Sequence, residues 1–558
     1  MIVSHKIILF ATVLIYSIQS FAQTGGIHNN GAHIVSKTGS FWVVKNGNFT
    51  LTSESAVNLA TMGNLMINDD ASLTLTNKSC LTVNGTLSNN KGIPGLVLKS
   101  TSEGTGSLIV NGTTSGAATV ERDLSYNKVH LISSPAADQN IIDFLLDNKD
   151  IAVVGSPGSY IFAMKDYNPS LNSWNNFFLS SKTGTFGIGS GYLALTIPDL
   201  GATPPPTVVS FKGGIHVGST DVAVTPGWNL IGNPFTSTIK INKVDNNFLS
   251  LNASIEPTGP IDQCYAAVYF WNGSTNTYEP INNLSDATYA QSGQGFFVKI
   301  KKDLLVADRH VTFTTAMQVH LNTAEFKSGG LPVPEIKLMT AINNNSVSTM
   351  IKFVEGATNG LDVGYDAGIF KPDSGLVVYT KLVNDNGVDF QLQCLPAKDY
   401  DKLAIPVGID SKSGGEIVFS VETVQLAQDC KVILEDKLTN TFTDLSKNNY
   451  KTTVAANTSG AGRFYLHTGD IVSGLDDQVL PEKFTAYAVR NVEIWVIGEV
   501  GSDAVATLYN GLGKVVLTKK LGAGSLNIIG LPNLSSGVYL LNINDKGTTQ
   551  TIKVMVRK

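Results

Sequence analysis

Apolar and polar residues alternate along most of this chain in short runs, each broken by glycine or asparagine, which is the two-residue period of half-buried β-strands. Between Gly63 and Gly112 a compact phrase recurs: Gly63-Asn64-Leu65-Met66-Ile67, Ala71-Ser72-Leu73-Thr74-Leu75, Ser79-Cys80-Leu81-Thr82-Val83 and Gly106-Ser107-Leu108-Ile109-Val110. Asn84-Gly85 and Asn111-Gly112 follow two of these phrases with pairs that tolerate positive φ. Strands this short cannot bury a face alone. The pattern therefore predicts successive rungs stacked into a parallel β-solenoid over residues 23–116, with a series of Asn-Gly hairpins as the alternative.

The next stretch, 117–330, repeats itself. His130-Leu131-Ile132-Ser133-Ser134-Pro135 returns as Asn229-Leu230-Ile231-Gly232-Asn233-Pro234, the segment Tyr167 to Trp174 as Trp271 to Tyr278, and Gly191-Tyr192-Leu193 as Gly295-Phe296-Phe297. Three phrases in one order at nearly one offset predict a duplicated β-unit. Pro204-Pro205-Pro206 reads as an extended spacer between the copies. Only 141–147 and 241–251 have the pattern of short helices. Residues 331–470 return to strand periodicity and predict a β-sandwich, followed by a Gly-, Asp- and Pro-containing linker at 471–482.

The final segment, 483–558, holds seven alternating runs: Lys483 to Arg490, Glu493 to Val500, Ala504 to Tyr509, Lys514 to Leu517, Leu526 to Leu531, Val538 to Ile543 and Thr551 to Arg557. That is the strand content of an Ig-like sandwich. Its phrases Leu508-Tyr509-Asn510, Gly511-Leu512-Gly513-Lys514-Val515-Val516, Leu534-Ser535-Ser536-Gly537-Val538-Tyr539-Leu540 and Lys553 to Lys558 resemble the type A C-terminal sorting domain of Bacteroidota type IX secretion cargo. Gly513, Lys514, Gly537, Tyr539, Lys553 and Lys558 carry the match. The resemblance implies recognition by the outer-membrane translocon and sorting machinery, removal of the tail, and release or surface attachment of the remainder. More loosely, the solenoid, the duplicated unit and the sandwich each resemble modules found ahead of such tails.

The other end of the chain is consistent with that route. His5 and Lys6 precede an apolar stretch from Ile7 to Ile18, and Ser20-Phe21-Ala22 places small residues where a signal peptidase reads, so residues 1–22 are expected to be cleaved between Ala22 and Gln23. The stretch is too short for a bilayer-spanning helix, and no transmembrane span is expected in the mature protein. Abundant Gly, Thr, Ser and Asn with only 15% charged residues fit an all-β chain. A net charge of −5 supplies no basic field for phosphates, so nucleic acid is not an expected partner. Cys80, Cys264, Cys394 and Cys430 are far apart. They allow three pairings or none, a Cys394–Cys430 bridge among them.

Candidate chemistry is sparse. The chain has no His-Glu-x-x-His helix, Gly-x-Ser-x-Gly elbow, phosphate loop or calcium loop with alternating Asp. Its eight histidines, His310 included, are scattered. Asp69-Asp70 and Glu435-Asp436 are adjacent pairs whose side chains diverge on a strand. Asp362 and Asp366 flank a Gly-containing turn and are the one place where calcium is conceivable; otherwise no cofactor is expected. Glu121-Arg122-Asp123 ends the solenoid and reads as a cap or inter-region contact. Trp174, Trp228, Trp271 and Tyr278 sit among Asn, Ser and Gly, as aromatics that hold a sugar ring do, although buried anchors have the same composition; Trp174, Trp271 and Tyr278 are the first candidates for ligand contact. The sequence thus points to an exported, non-catalytic protein acting in adhesion, surface architecture or glycan binding, on a polysaccharide or a host or cell surface. A polysaccharide lyase or hydrolase on a β scaffold is the alternative.

Overall fold

The computed structural model describes residues 34–35, 39–45, 47–51, 59–197, 207–253, 259–273, 276–321, 334–343, 345–371, 375–383, 387–397, 403–424, 426, 431–468, 485–489, 493–510, 513–535, 537–545 and 548–556. The expected cleavage site at Ala22 and Gln23, the Pro204 spacer, Cys430, the 471–482 linker and Lys558 lie outside them. Strands dominate, and the chain is all-β apart from short helical turns.

The described residues between 34 and 124 wind as a three-sided parallel solenoid. One side stacks Ile34–Val35, Leu59–Met62, Cys80–Val83 and Ser107–Val110; the second stacks Phe41–Val44, Asn64–Ile67, Leu87–Asn89 and Thr114–Ser115; the third stacks Gly47–Leu51, Ala71–Leu75, Leu96–Leu98 and Ala117–Leu124. The register pairs Leu65 with Leu87, Leu73 with Leu96, and Leu81 with Leu108. The eight-residue phrase is thus one side of a turn, and the true rung is three phrases long. Inward leucines from successive rungs stack over one another, and all six of these are almost fully buried. Each contributes about 1.5–3 kcal/mol. The Asn-Gly pairs form a corner of the solenoid instead of hairpins. A Cβ on Gly85 would lie 2.9 Å from Gly63 O, and one on Gly112 would lie 2.2 Å from Gly85 O, so the corner stacks closely only with glycine.

The solenoid runs into the duplicated unit without a break. Ala117–Leu124 bonds in parallel to Leu96–Leu98 and, on its other edge, antiparallel to Thr207–Ile215 over eight residue pairs. A single core extends from Leu51 to Ile215. The duplication itself is plain in the topology. Val129–Ser133 pairs with Gly191–Leu195, which pairs with Met164–Lys165; likewise Gly227–Gly232 pairs with Gly295–Ile300, which pairs with Val268–Asn272. Each copy has one short helix, α1 (Ile141–Asp147) and α2 (Phe248–Asn252), capped by Asn140 and Asn247. In each an asparagine clamps the helix end to the returning strand. Asn148 bonds Phe144 O and both the N–H and C=O of Ser210, and Asn252 does the same with Phe248 and Thr312. α2 is shorter than the 241–251 pattern because Lys243 and Asn246 adopt positive φ, which no helix accommodates.

The two copies meet about a pseudo-two-fold axis. Ser133 N donates to Gly293 O at 3.0 Å, and the equivalent Gly232 N donates to Gly189 O at 2.9 Å. The backbones touch so closely that a Cβ on Gly232 would lie 2.3 Å from Ser133 Cβ and 2.7 Å from Gln294 O. Copy two also rests on the solenoid. Thr236 exchanges hydrogen bonds with the Leu108 backbone, and His320 bridges Thr82 and Ser107 on adjacent rungs at 2.9 and 2.8 Å.

Among the described residues, the 331–470 region, expected as a β-sandwich, is instead a single eleven-stranded sheet curled almost shut around its own core. Its two outermost strands, Thr441–Asp444 and Tyr450–Val454, are consecutive in sequence, so the turn between them bridges the gap. Side chains complete the closure. Arg463 grips the fully buried Asp436 through Nε and Nη2 at 2.9 and 2.7 Å, Tyr450 donates to the same carboxylate at 2.8 Å, and Arg463 also reaches Thr452 Oγ1 and Thr453 O. The tail forms a separate seven-stranded sandwich with its own core, in sheets of three and four strands.

The close seam yields a stability prediction. Gly232→Ala must push the copies apart and is expected to cost about 1–3 kcal/mol, the scale of overpacking. Gly375→Ala, at a position with open space around it, should stay within about 0.5 kcal/mol. Thermal unfolding of both variants measures this, and equal shifts would contradict the seam.

Candidate functional site

The sequence-selected aromatics gather at one place. Tyr278 is buried, Trp174 and Trp271 are half-buried, and all three join Tyr167, Trp228, Tyr269, Phe297 and Phe370 in a cluster shared by both copies and the 331–470 sheet. Trp271 packs on Tyr278 with ring centroids 4.9 Å apart, and Trp174 packs edge-on against Phe297 at 5.8 Å. Tyr278 has its phenol pKa raised by burial, first through desolvation and then by Tyr167. Its ring is an anchor. Trp271, by contrast, borders a cavity.

The Asp362–Asp366 turn clasps copy two to the curled sheet. Asn283 N donates to Gly364 O, Asn282 donates to Tyr365 O, and Tyr269 donates its hydroxyl proton to Gly368 O at 2.5 Å. Asp366 is fully buried and accepts from Asp362 N and Cys394 N, both at 2.7 Å, while Asp362 accepts from Thr358 N and Oγ1. Among the described residues no three His, Cys, Asp or Glu side chains come together as a metal set. The other carboxylate pairs diverge: Asp69 and Asp70 are exposed in a turn, and Glu435 meets His467 at 2.8 Å on the face opposite Asp436. Cys80 and Cys394 are buried and Cys264 is half-buried. Cys394 Sγ lies 3.2 Å from Tyr365 O, and burial pushes its thiol pKa well up.

Two clefts that sequence reasoning missed lie at the junctions. The first, of ≈ 210 Å³, opens where three regions meet: Asn172 from copy one, Trp228, Tyr265 and Lys299 from copy two, and Lys371 with Asp389 from the curled sheet. Lys299 Nζ sits 3.2 Å above the Tyr265 ring, and Lys371 bridges Asp389 and Asp410 at 2.7 and 2.5 Å. Desolvation would raise the Asp389 pKa, but Lys371 and Lys381 outweigh it and hold the carboxylate ionised. The second cleft, of ≈ 80 Å³, lies in the seam between copies and is bordered by Arg122, His130 and Trp271. The signal for it was present in the sequence. Ala118, Val120, Arg122 and Leu124 occupy one face of a strand, so Arg122 breaks an otherwise apolar inward series.

In the tail, Gly513 has φ of +77° and closes a turn with Asn510, which accepts from Lys514 N through its side chain. Gly537, Tyr539 and Lys553 lie on the terminal hairpin, where Gly537 pairs with Val556 and Lys553 with Leu540. Tyr539 is buried, and its hydroxyl donates to Ser535 O at 3.0 Å.

The buried Asp366 carboxyl gives a pH prediction. Desolvation raises its pKa from 3.8 to about 7, against the two backbone N–H groups that favour the anion. A raised folded-state pKa means that its stabilising contribution is whole below the unfolded value and is lost as pH climbs toward 7. A carboxyl-carbon NMR titration should place the Asp366 midpoint near 7, with stability falling across that window; a midpoint near 4 would contradict this environment.

No curated protein matches the chain. Among solved structures it is similar to the adhesin domain of Epf from Streptococcus pyogenes, at 11% identity over 39% of this chain and 91% of that one, with a TM-score of 0.12. It is also similar to the BSP domain of a biofilm associated protein, at 10% identity over 79% of this chain and 92% of that one, with a TM-score of 0.18. Residues 491–557 match the secretion system C-terminal sorting domain. The chain is therefore type IX secretion cargo, exported through the outer membrane to the cell surface or extracellular space. A chain ended after Pro481 should accumulate in the periplasm, as cell fractionation would show; unchanged export would contradict the role of the tail. Residues 28–467 match the model described as a domain of unknown function, DUF8693, and because that match spans most of the chain, the protein belongs to this family.

Proposed function

We propose that the exported body is a non-catalytic binding protein that holds hydroxyl-rich polymers, such as glycans, at the cell exterior. The observation that carries this reading is the cleft where both copies meet the curled sheet. Its polar groups come from three separate regions, and its aromatic wall is formed by Trp228 and Tyr265. Lys299 caps the Tyr265 face, so the wall offers a cation and hydrogen-bond donors beside apolar ring edges. Asn172 is an exposed lining residue whose Oδ1 accepts from the Tyr167 hydroxyl at 2.8 Å, so its amide N–H₂ is the group it presents to a ligand. Such a mixed lining suits a ligand with apolar ring faces and many hydroxyls.

The rigid setting also supports a binding role. Regions welded by backbone pairing and shared cores keep the cleft preorganised, which reduces the ordering cost of holding a polymer. Passing the purified secreted protein over immobilised soluble glycans is expected to show retention of at least one polysaccharide with no new reducing or unsaturated ends. Lys299→Ala and Asn172→Ala should weaken that retention by roughly tenfold, the effect of losing one charge-assisted hydrogen bond. New chain ends would overturn the binding-only reading in favour of a lyase or hydrolase.

A further inference from the structure

Arg122 lies on the inward face of the strand that joins solenoid to duplicated unit, and its guanidinium makes no hydrogen bond or ion pair among the described residues. Desolvation pulls its pKa down to about 10, with Asp123 acting in the opposite direction. Asp123 is the neighbouring residue on the strand and so points to the other face. Arg122 is half-buried, and a cation partly withdrawn from water without a hydrogen-bonded partner is costly, so the guanidinium bordering the cavity is left for a ligand to pair. The space beside it is built by small residues. Gly273, Gly293 and Gly295 line the cavity, and a Cβ on Gly293 would lie 3.9 Å from Arg122 Cγ.

The other polar groups of this cavity complement a particular ligand. Trp271 borders it, and its indole Nε1 is buried without a hydrogen-bond partner. His130 Nε2 lies 2.6 Å from Ser125 O, so that nitrogen is the donor. Desolvation first, then Arg122 and Lys128, lower the pKa of the ring against the Ser125 bond, which leaves it neutral with Nδ1 as an acceptor. Gln294 accepts from Gln291 N through Oε1, which leaves its amide N–H₂ as a further donor at the rim.

We propose that this seam cavity binds the carboxylate of an acidic sugar, a uronate, with Arg122 as the bidentate anchor for the carboxylate and His130 Nδ1 accepting from a ring hydroxyl. A planar fork of N–H donors matches a carboxylate in shape and charge, and the neutral imidazole acceptor suits a hydroxyl. The site is separate from the three-region cleft and shares with the reading above only the class of ligand. Variants at Arg122 and at Lys299 therefore score the two sites independently.

The test uses the full secreted protein, with thermal shift and calorimetry against sodium D-glucuronate, D-glucose and sodium acetate. Glucuronate is expected to bind saturably, glucose not at all, and acetate more weakly than glucuronate. Arg122→Gln should lose glucuronate affinity roughly tenfold or more and at the same time unfold no lower than the wild type, because the charge it removes has no hydrogen-bonded partner within the protein. Absence of a glucuronate response in the wild type, or its survival in Arg122→Gln, would overturn the site. Equal responses to acetate and glucuronate would overturn the sugar assignment. A lower unfolding temperature for Arg122→Gln would reveal a structural arginine instead.

Discussion

A β-strand has two edges, and both must be satisfied with hydrogen bonds or shielded. In this protein the strand Ala117–Leu124 meets that demand by belonging to two architectures at once. One edge completes the last parallel rung of the solenoid, and the other accepts the antiparallel strand Thr207–Ile215 from the first copy of the duplicated unit. A solenoid ordinarily needs a polar cap over its final rung. Here the next region serves as that cap, and the two share one core.

The same economy recurs toward the C-terminus. His320 bridges two solenoid rungs, and burial holds its pKa down to about 4, so it acts as a neutral hydrogen-bonding strut. Tyr269 and the Asp362–Asp366 turn join the second copy to the curled sheet, and Gln391 donates across the same contact to Tyr278 O at 2.5 Å. Polar side chains that in isolation look like catalytic candidates are thus committed to holding regions together. The clefts at these joints owe their shape to the joints themselves, because each draws lining residues from elements far apart in sequence.

Much of this was legible in the residues. Period-two runs located the strands of the tail to within a few positions, since most runs adjoin a Gly or Asn and strands such as Val505–Tyr509 alternate between buried and half-buried positions. The matched phrases around Ile132 and Ile231 identified the duplication, and Asn140 capped the first helix where the pattern placed it. What was hidden depends on distance in space. The eight-residue phrase gave the length of a side but not the three-sided coil, since parallel pairing connects residues more than twenty positions apart. Trp174, Trp271 and Tyr278 were found as a set, but their partner Phe370 comes from another region and has no local signal. Arg122 was visible as a charge triplet, and its place in the inward series of the strand marked it more sharply than the triplet did.

The pseudo-symmetric seam has a further consequence. Equivalent positions face one another across the axis, and at the tightest point one copy has Ser133 where the other has Gly232. Two first copies would collide there, and two second copies would leave a gap. The halves are therefore lock and key to each other at this point, and accidental like-with-like pairing between neighbouring molecules at a crowded cell surface is disfavoured by a single hydroxymethyl group, present on Ser133 and absent from Gly232.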